Sequence, residues 1–298
     1  MRSKSFIILL SLIALACGVF VVTAQEPEDD VRGAFISTRP KTTNSNAASR
    51  RRRIRNTNSS SATSKNTNST AAGANRPGNK NTSVTHKLSE AIGLGYTLFM
   101  RAPNGRAVRV EPSREFHNGD SVRIALEPNV DGYLYVFHTE GNGEPEMIYP
   151  DWRLDGGENW IEAHVPLEVP SSEETDERLR WFTFYGNAGI ERLYVVVSRE
   201  PLPGVPTGDR LVTFCAANKD KCPWRPLSEV WTQLQNATRA DVKVVSAKSF
   251  GQPLSDQEQV ATTRGLGLDQ TAPEPSVIRM NASTNAPVLV AVLDLIHK

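Results

Sequence analysis

Residues 119–150, GDSVRIALEPNVDGYLYVFHTEGNGEPEMIYP, decide the fold. Val122, Ile124 and Leu126 alternate with Ser121, Arg123 and Glu127, the period of two that marks a strand with one face buried. Pro128 to Gly132 then reverses the chain, and Asp131-Gly132 has the chemistry of a hairpin loop needing a positive φ. From Tyr133 to Phe137 both faces are apolar or aromatic, which predicts an inner strand of a sheet covered on both sides. Gly141-Asn142-Gly143 turns the chain again into Met147-Ile148-Tyr149. The stretch specifies three strands and contains no catalytic motif.

The surrounding chain extends the pattern. Tyr96, Leu98 and Met100 alternate, Pro103-Asn104-Gly105 turns, and Ala107 to Val110 returns, predicting a first hairpin. Trp160 to Val165, Trp181 to Tyr185 and Leu193 to Ser198 read as further short strands separated by Gly and Pro. This spacing predicts a mainly β protein, an antiparallel sandwich of immunoglobulin-like or barrel-like form. Beyond Pro206, Leu211 to Phe214 and Asp241 to Ala247 read as strands. One short helix opens at Pro226, with Leu227, Val230, Trp231 and Leu234 forming one apolar stripe. Gln252 to Pro275 reads as a loose polar loop. Val288 to Ile296 is nearly unbroken apolar sequence and must pair inside the sheets, because an exposed edge of that kind aggregates. The helix around Trp231 is expected to pack on the same core.

The net charge of +1 conceals an asymmetry. Ser37 to Lys87 holds eleven Lys or Arg and no Asp or Glu, whereas Leu88 to Lys298 holds twenty basic and twenty-nine acidic residues, so a cationic segment precedes an anionic body. Lys41 to Thr85 is almost entirely Asn, Ser, Thr, Ala and Arg, a composition predicting disorder. Before it, Val31, Phe35 and Ile36 offer apolar side chains that Pro40 cuts short. The expected organisation is therefore residues 1–24 as a signal peptide, 25–87 as a disordered basic segment, 92–203 as the sandwich, and 204–298 as an extension packed on the same core.

The start of the chain fits a secretory signal: Arg2 and Lys4, an apolar run from Phe6 to Val22, then Val22-Thr23-Ala24, with cleavage expected after Ala24. The alternatives are an uncleaved anchor and lipidation at Cys17, which has Ala14 three residues before it. Export to the periplasm or beyond leaves Cys215 and Cys222 as an even pair in an oxidising compartment, and a disulfide between them is expected.

Several groups of residues resemble the bacterial family named domain of unknown function 4384. They are Phe116-x-x-Gly119-Asp120, the run Pro128 to Phe137, Tyr149-Pro150, Gly157-x-Asn159-x-Ile161, and Glu191-Arg192-Leu193 leading to Arg199-Glu200-Pro201-Leu202. The resemblance spans about Gly95 to Pro203. Arg32-Gly33-Ala34-Phe35 and the C-terminal segment look like those of exported, acidobacterial-type members. The resemblance implies an accessory role and carries no catalytic residues.

Candidate sites follow from residue type. The arginine run Arg50, Arg51, Arg52, Arg53 and Arg55 suits contact with an anionic surface, and without interleaved aromatics it does not fit nucleic acid. Asp151 to Glu162 has Asp at positions 1 and 5, Gly at 6 and Glu at 12 of a calcium loop. Arg153 at position 3 argues for a decorated turn instead. His86, His117, His138, His164 and His297 lack metal-ligand spacing; His138 and His164 read as exposed residues that meet across strands. Tyr133, Tyr135, Trp152, Trp160 and Trp181 form a glycan platform if exposed and core if not. No cofactor motif is present. The expectation is a non-enzymatic exported accessory module binding an unidentified protein or envelope component. The alternatives are a glycan-binding module and a hydrolase whose site assembles only in three dimensions.

Overall fold

The computed structural model describes residues 27–41, 90–141, 143–247 and 249–298. The signal-like residues, cleavage after Ala24, Cys17, most of the basic segment and the Arg50 to Arg55 run lie outside the described residues. Among the described residues no helix is long and apolar enough to cross a membrane.

The chain runs α1 (Pro27–Ser37), β1 (Gly93–Arg101), β2 (Ala107–Arg109), β3 (Glu115–Phe116), β4 (Ser121–Pro128), β5 (Gly132–Glu140), β6 (Glu146–Tyr149), β7 (Trp160–Ile161), β8 (Leu167–Val169), β9 (Phe182–Thr183) and β10 (Gly189–Ser198). Then follow α2 (Gly208–Ala217), α3 (Ser228–Ala237), β11 (Val242–Ser246), α4 (Asp256–Arg264), β12 (Val277–Asn281) and β13 (Val288–His297). Two sheets form. Sheet A has the order β11-β12-β1-β4-β8, with β2 on β1 and β9 on β4; sheet B has the order β3-β13-β10-β5-β6, with β7 on β5. Pairing is antiparallel except between β13 and β3.

The period of two sorts side chains between the layers. Leu94, Tyr96, Leu98, Val122, Ile124 and Leu126 from sheet A meet Leu134, Val136, Leu193, Val195, Leu289 and Leu293 from sheet B, making the sandwich core. The opposite face of sheet B sends Tyr135, Phe137, Tyr194, Val196 and Val290 into a second apolar core, closed by Leu211, Cys215, Trp224 and Leu234. The helix at Trp231 therefore lies outside sheet B, not on the core between the sheets as expected. The opposite face of sheet A is covered by α1, where Val31 and Phe35 pack with Val245, Ile278 and Met280, and by the segment carrying α4.

The segment after β4 differs from its hairpin reading. β4 pairs within sheet A and β5 within sheet B, so Asn129 to Asp131 crosses between layers. Gly132 is needed for close approach, not for a positive φ: a Cβ there would lie 2.3 Å from the Ser198 carbonyl oxygen. Four more expectations are corrected. Leu211 to Phe214 belongs to α2, because its apolar residues fit one helical stripe as readily as a strand. The loop from Gln252 contains α4, held by a capping box between Ser255 and Glu258. Residues 27–37, placed in the disordered segment, form α1, since Val31 and Phe35 are one helical turn apart and find cover on sheet A. The strand read from Trp160 to Val165 stops at Ile161.

Candidate functional site

The outer face of sheet A is the part of the molecule where charge is buried. On β4 the inward positions are apolar, so Arg123, Ala125 and Glu127 point outward. Opposite Glu127 in register is Gly95, and Gly93 lies two residues earlier. A Cβ on Gly95 would lie 2.5 Å from Pro275 and 3.0 Å from Phe35, and one on Gly93 3.0 Å from Phe35. The two glycines thus leave a depression, and the Phe35 ring fills it with no exposed surface.

Four residues after Phe35, Arg39 enters beside Glu127. Its Nε donates to Glu127 Oε1 at 2.7 Å and its Nη2 to Oε2 at 2.7 Å. Nη2 also donates to the Pro273 carbonyl at 3.1 Å, and Nη1 donates to the carbonyls of Asp269 at 3.3 Å and Ala272 at 2.9 Å. Five N–H groups meet five acceptors, the full capacity of a guanidinium. The Arg39 side chain is wholly buried, which such pairing makes tolerable.

His164 completes the cluster. It follows the short β7 in a left-handed backbone conformation, φ +58°, uncommon for a residue with a side chain. Its N–H donates to the Pro128 carbonyl at 2.7 Å and its carbonyl accepts from Leu268 at 2.8 Å, which fixes that conformation. Nδ1 lies 2.8 Å from Glu127 Oε1, and Nε2 2.8 Å from the Thr38 hydroxyl. The Phe35 ring stands edge-on to the imidazole at 5.3 Å. Burial works to raise the Glu127 pKa, but the hydrogen bonds from His164 and Arg39, with their charges, outweigh it and hold the carboxyl below its ordinary range.

Two more ion pairs share this face. Arg109 pairs with Glu258 of the α4 capping box and donates to Thr97 Oγ1 at 3.2 Å. Arg123 lies 3.7 Å from Glu168 and stacks 4.3 Å over Trp181; burial lowers its pKa against the raising effect of Glu168. Between Gly95, Glu127, Glu258 and Pro275 a cavity of about 20 Å³ remains, room for about one water.

The expected site residues are distributed differently. Cys215 and Cys222 form a disulfide, Cα atoms 5.7 Å apart, against the outer face of sheet B. Arg153 folds back onto Asp151, its Nε 2.9 Å from Oδ1, as a decorated turn does. His138 and His164 do not meet. His138 pairs with Glu191 on β10 at 2.5 Å, whereas His164 is buried, so its reading as exposed decoration is overturned by the turn after β7. Tyr135 is core, Trp181 lies under Arg123, and Trp160 is 48% exposed with its ring edge-on to Tyr133 at 5.1 Å. Sequence reasoning missed Arg39, Glu127 and His164. The available signal was the spacing of Val31 and Phe35, followed by Arg-Pro.

Comparisons with curated proteins and with solved structures each found no match. A family model described as Domain of unknown function (DUF4384) matches residues 115–201, from β3 to just beyond β10. Over these residues the chain carries a domain of the DUF4384 family.

Proposed function

We propose that the protein is a non-enzymatic accessory module, exported to an oxidising compartment, that binds a protein partner through the outer face of sheet A. The observation that supports this reading is the docking of residues 27–40, a segment remote in sequence from the strands it covers, with Phe35 and Arg39 both wholly buried. A sheet face that takes up one peptide by a shaped depression and a charge socket has the features of a peptide-binding surface. The cationic run Arg50 to Arg53 and Arg55 would add attraction to an anionic envelope surface. The test is display selection on the full chain carrying Phe35→Ala and Arg39→Ala, which frees the face. Peptides enriched by this variant over the wild type support the reading, and equal enrichment by both rejects it.

One observation favours a hydrolase as the second reading: Thr38, His164 and Glu127 stand in the order hydroxyl, imidazole, carboxylate, with both contacts 2.8 Å. Against it, the Thr38 hydroxyl also lies 2.6 Å from the Phe35 carbonyl, which can take its hydrogen, and Glu127 is already shared with Arg39. Hydrolysis of an activated ester that is lost in Thr38→Ala would favour the hydrolase; equal rates for both chains would dismiss it.

A further inference from the structure

From the Arg39 socket we infer the class of ligand: the outer face of sheet A recognises peptides with an aromatic residue four positions before an arginine, and residues 27–41 are its built-in competitor. The inference rests on the binding reading above and names its ligand. All five acceptors of the socket belong to the body: two oxygens of Glu127 and the carbonyls of Asp269, Ala272 and Pro273. When Arg39 leaves, these acceptors and the buried Glu127 carboxylate stay in place, and only a planar donor group with five N–H bonds satisfies them together. Lysine brings three donors around a point and leaves acceptors unpaired. The second determinant is the depression over Gly93 and Gly95, which accepts a ring because any Cβ there would meet it.

Helix α1 sets the distance between the two anchors. It places Phe35 in its last turn, and Arg39 follows as the chain leaves the helix, its N–H donating to the Ile36 carbonyl at 3.0 Å. The Gln270 side chain donates to the Ser37 and Arg39 carbonyls at 3.3 and 3.2 Å, contacts that read backbone and accept any sequence. The two largest buried anchors are therefore Phe35 and Arg39, with Val31 and the Thr38 hydroxyl adding smaller contacts. Residues 42–89 lie between this segment and the start of the sandwich, a stretch of chain whose fully extended length is at most roughly 170 Å. The segment thus acts as a tethered ligand, and a free peptide must compete with it.

The probe is a fluorescein-labelled synthetic peptide of residues 28–41, followed by anisotropy against full-length chains. The Phe35→Ala/Arg39→Ala chain is expected to bind it at least tenfold more tightly than the wild type. The same peptide carrying Arg39→Lys is expected to bind at least tenfold more weakly, and adding Glu127→Gln to the double variant should abolish binding. Equal binding of the arginine and lysine peptides overturns the ligand class while leaving a peptide-binding face. No binding of either peptide to a double variant with wild-type circular dichroism overturns both readings. Should that variant fail to fold, a wild-type chain with one specific protease site inserted among residues 42–89 is cut and challenged with the labelled peptides. Exchange that requires arginine supports the inference, and absence of exchange, or exchange indifferent to arginine, overturns it.

Discussion

The outside of sheet B and the outside of sheet A are both covered, but by different chemistry. Sheet B presents Tyr135, Phe137, Tyr194 and Val196 to α2, α3 and the Cys215–Cys222 disulfide, contributed by the stretch that directly follows β10. Sheet A presents Glu127, Arg123 and two glycines to segments from opposite ends of the chain. Apolar burial is non-directional, so the cover on sheet B gains stability from area alone. Ion-pair burial is directional: paired it is nearly neutral, and with one partner removed it is costly. The first kind of cover suits permanence, and the second suits recognition of one particular segment.

The strongest way to break this comparison is to remove sheet B itself. Deleting Val288–Lys298 takes out β13 between β3 and β10 and strips both apolar cores. The expected outcome is an aggregated product by gel filtration, because the loss approaches the whole stability of a domain; a soluble, cooperatively unfolding truncation would contradict it. Next, Phe137→Ala should cost about 3–5 kcal/mol in urea unfolding. Phe35→Ala should instead free residues 27–41, seen as lost amide protection there, with the global transition shifted by less than about 1 kcal/mol. Similar global losses for both would show that the two covers are energetically alike.

Replacing both Cys215 and Cys222 by Ser should cost roughly 2.5 kcal/mol in the chain-entropy model, with amide protection of residues 27–41 unchanged. Acid sharpens the contrast further. The Glu127 carboxyl is depressed in the folded state, so its contribution is fully present above the ordinary carboxylate pKa and is lost as pH falls through the lowered folded value. Protection of residues 27–41 should therefore hold from neutrality to about pH 5 and then fall, and Glu127→Gln should leave these residues unprotected at neutral pH as well, so that no such fall is seen. The smallest effect is expected at the half-exposed Arg192–Asp294 pair across β10 and β13, whose Nε–Oδ1 distance is 2.5 Å. Asp294→Asn should change stability by less than about 1 kcal/mol, measured by the same urea titration.

The sandwich was legible because burial on one or both faces writes itself into adjacent residues: Val122 to Leu126, Tyr133 to Phe137 and Val288 to Ile296 each carry their own pattern. The disulfide was legible from cysteine number. The destination of each strand was not, since the crossing at Asn129 to Asp131 and a hairpin use the same turn residues. The socket was less legible still. Glu127 looked like an ordinary solvent-facing residue of an alternating strand, and what buries it comes from Arg39 and from Asp269 to Pro273. Nothing local marks that encounter. His164 was misread for a related reason, because its burial depends on Glu127 and on Thr38.

The place of β13 also constrains when the molecule can fold. Ile296 pairs with Glu115, and Val288 to His297 pairs along the whole of β10, so sheet B cannot close until residue 297 has left the ribosome. Contacts this distant in sequence make for slow closure. Through the synthesis of everything between, β10 must wait with one edge open, and a nascent chain in that state is one that a holding chaperone would have time to bind.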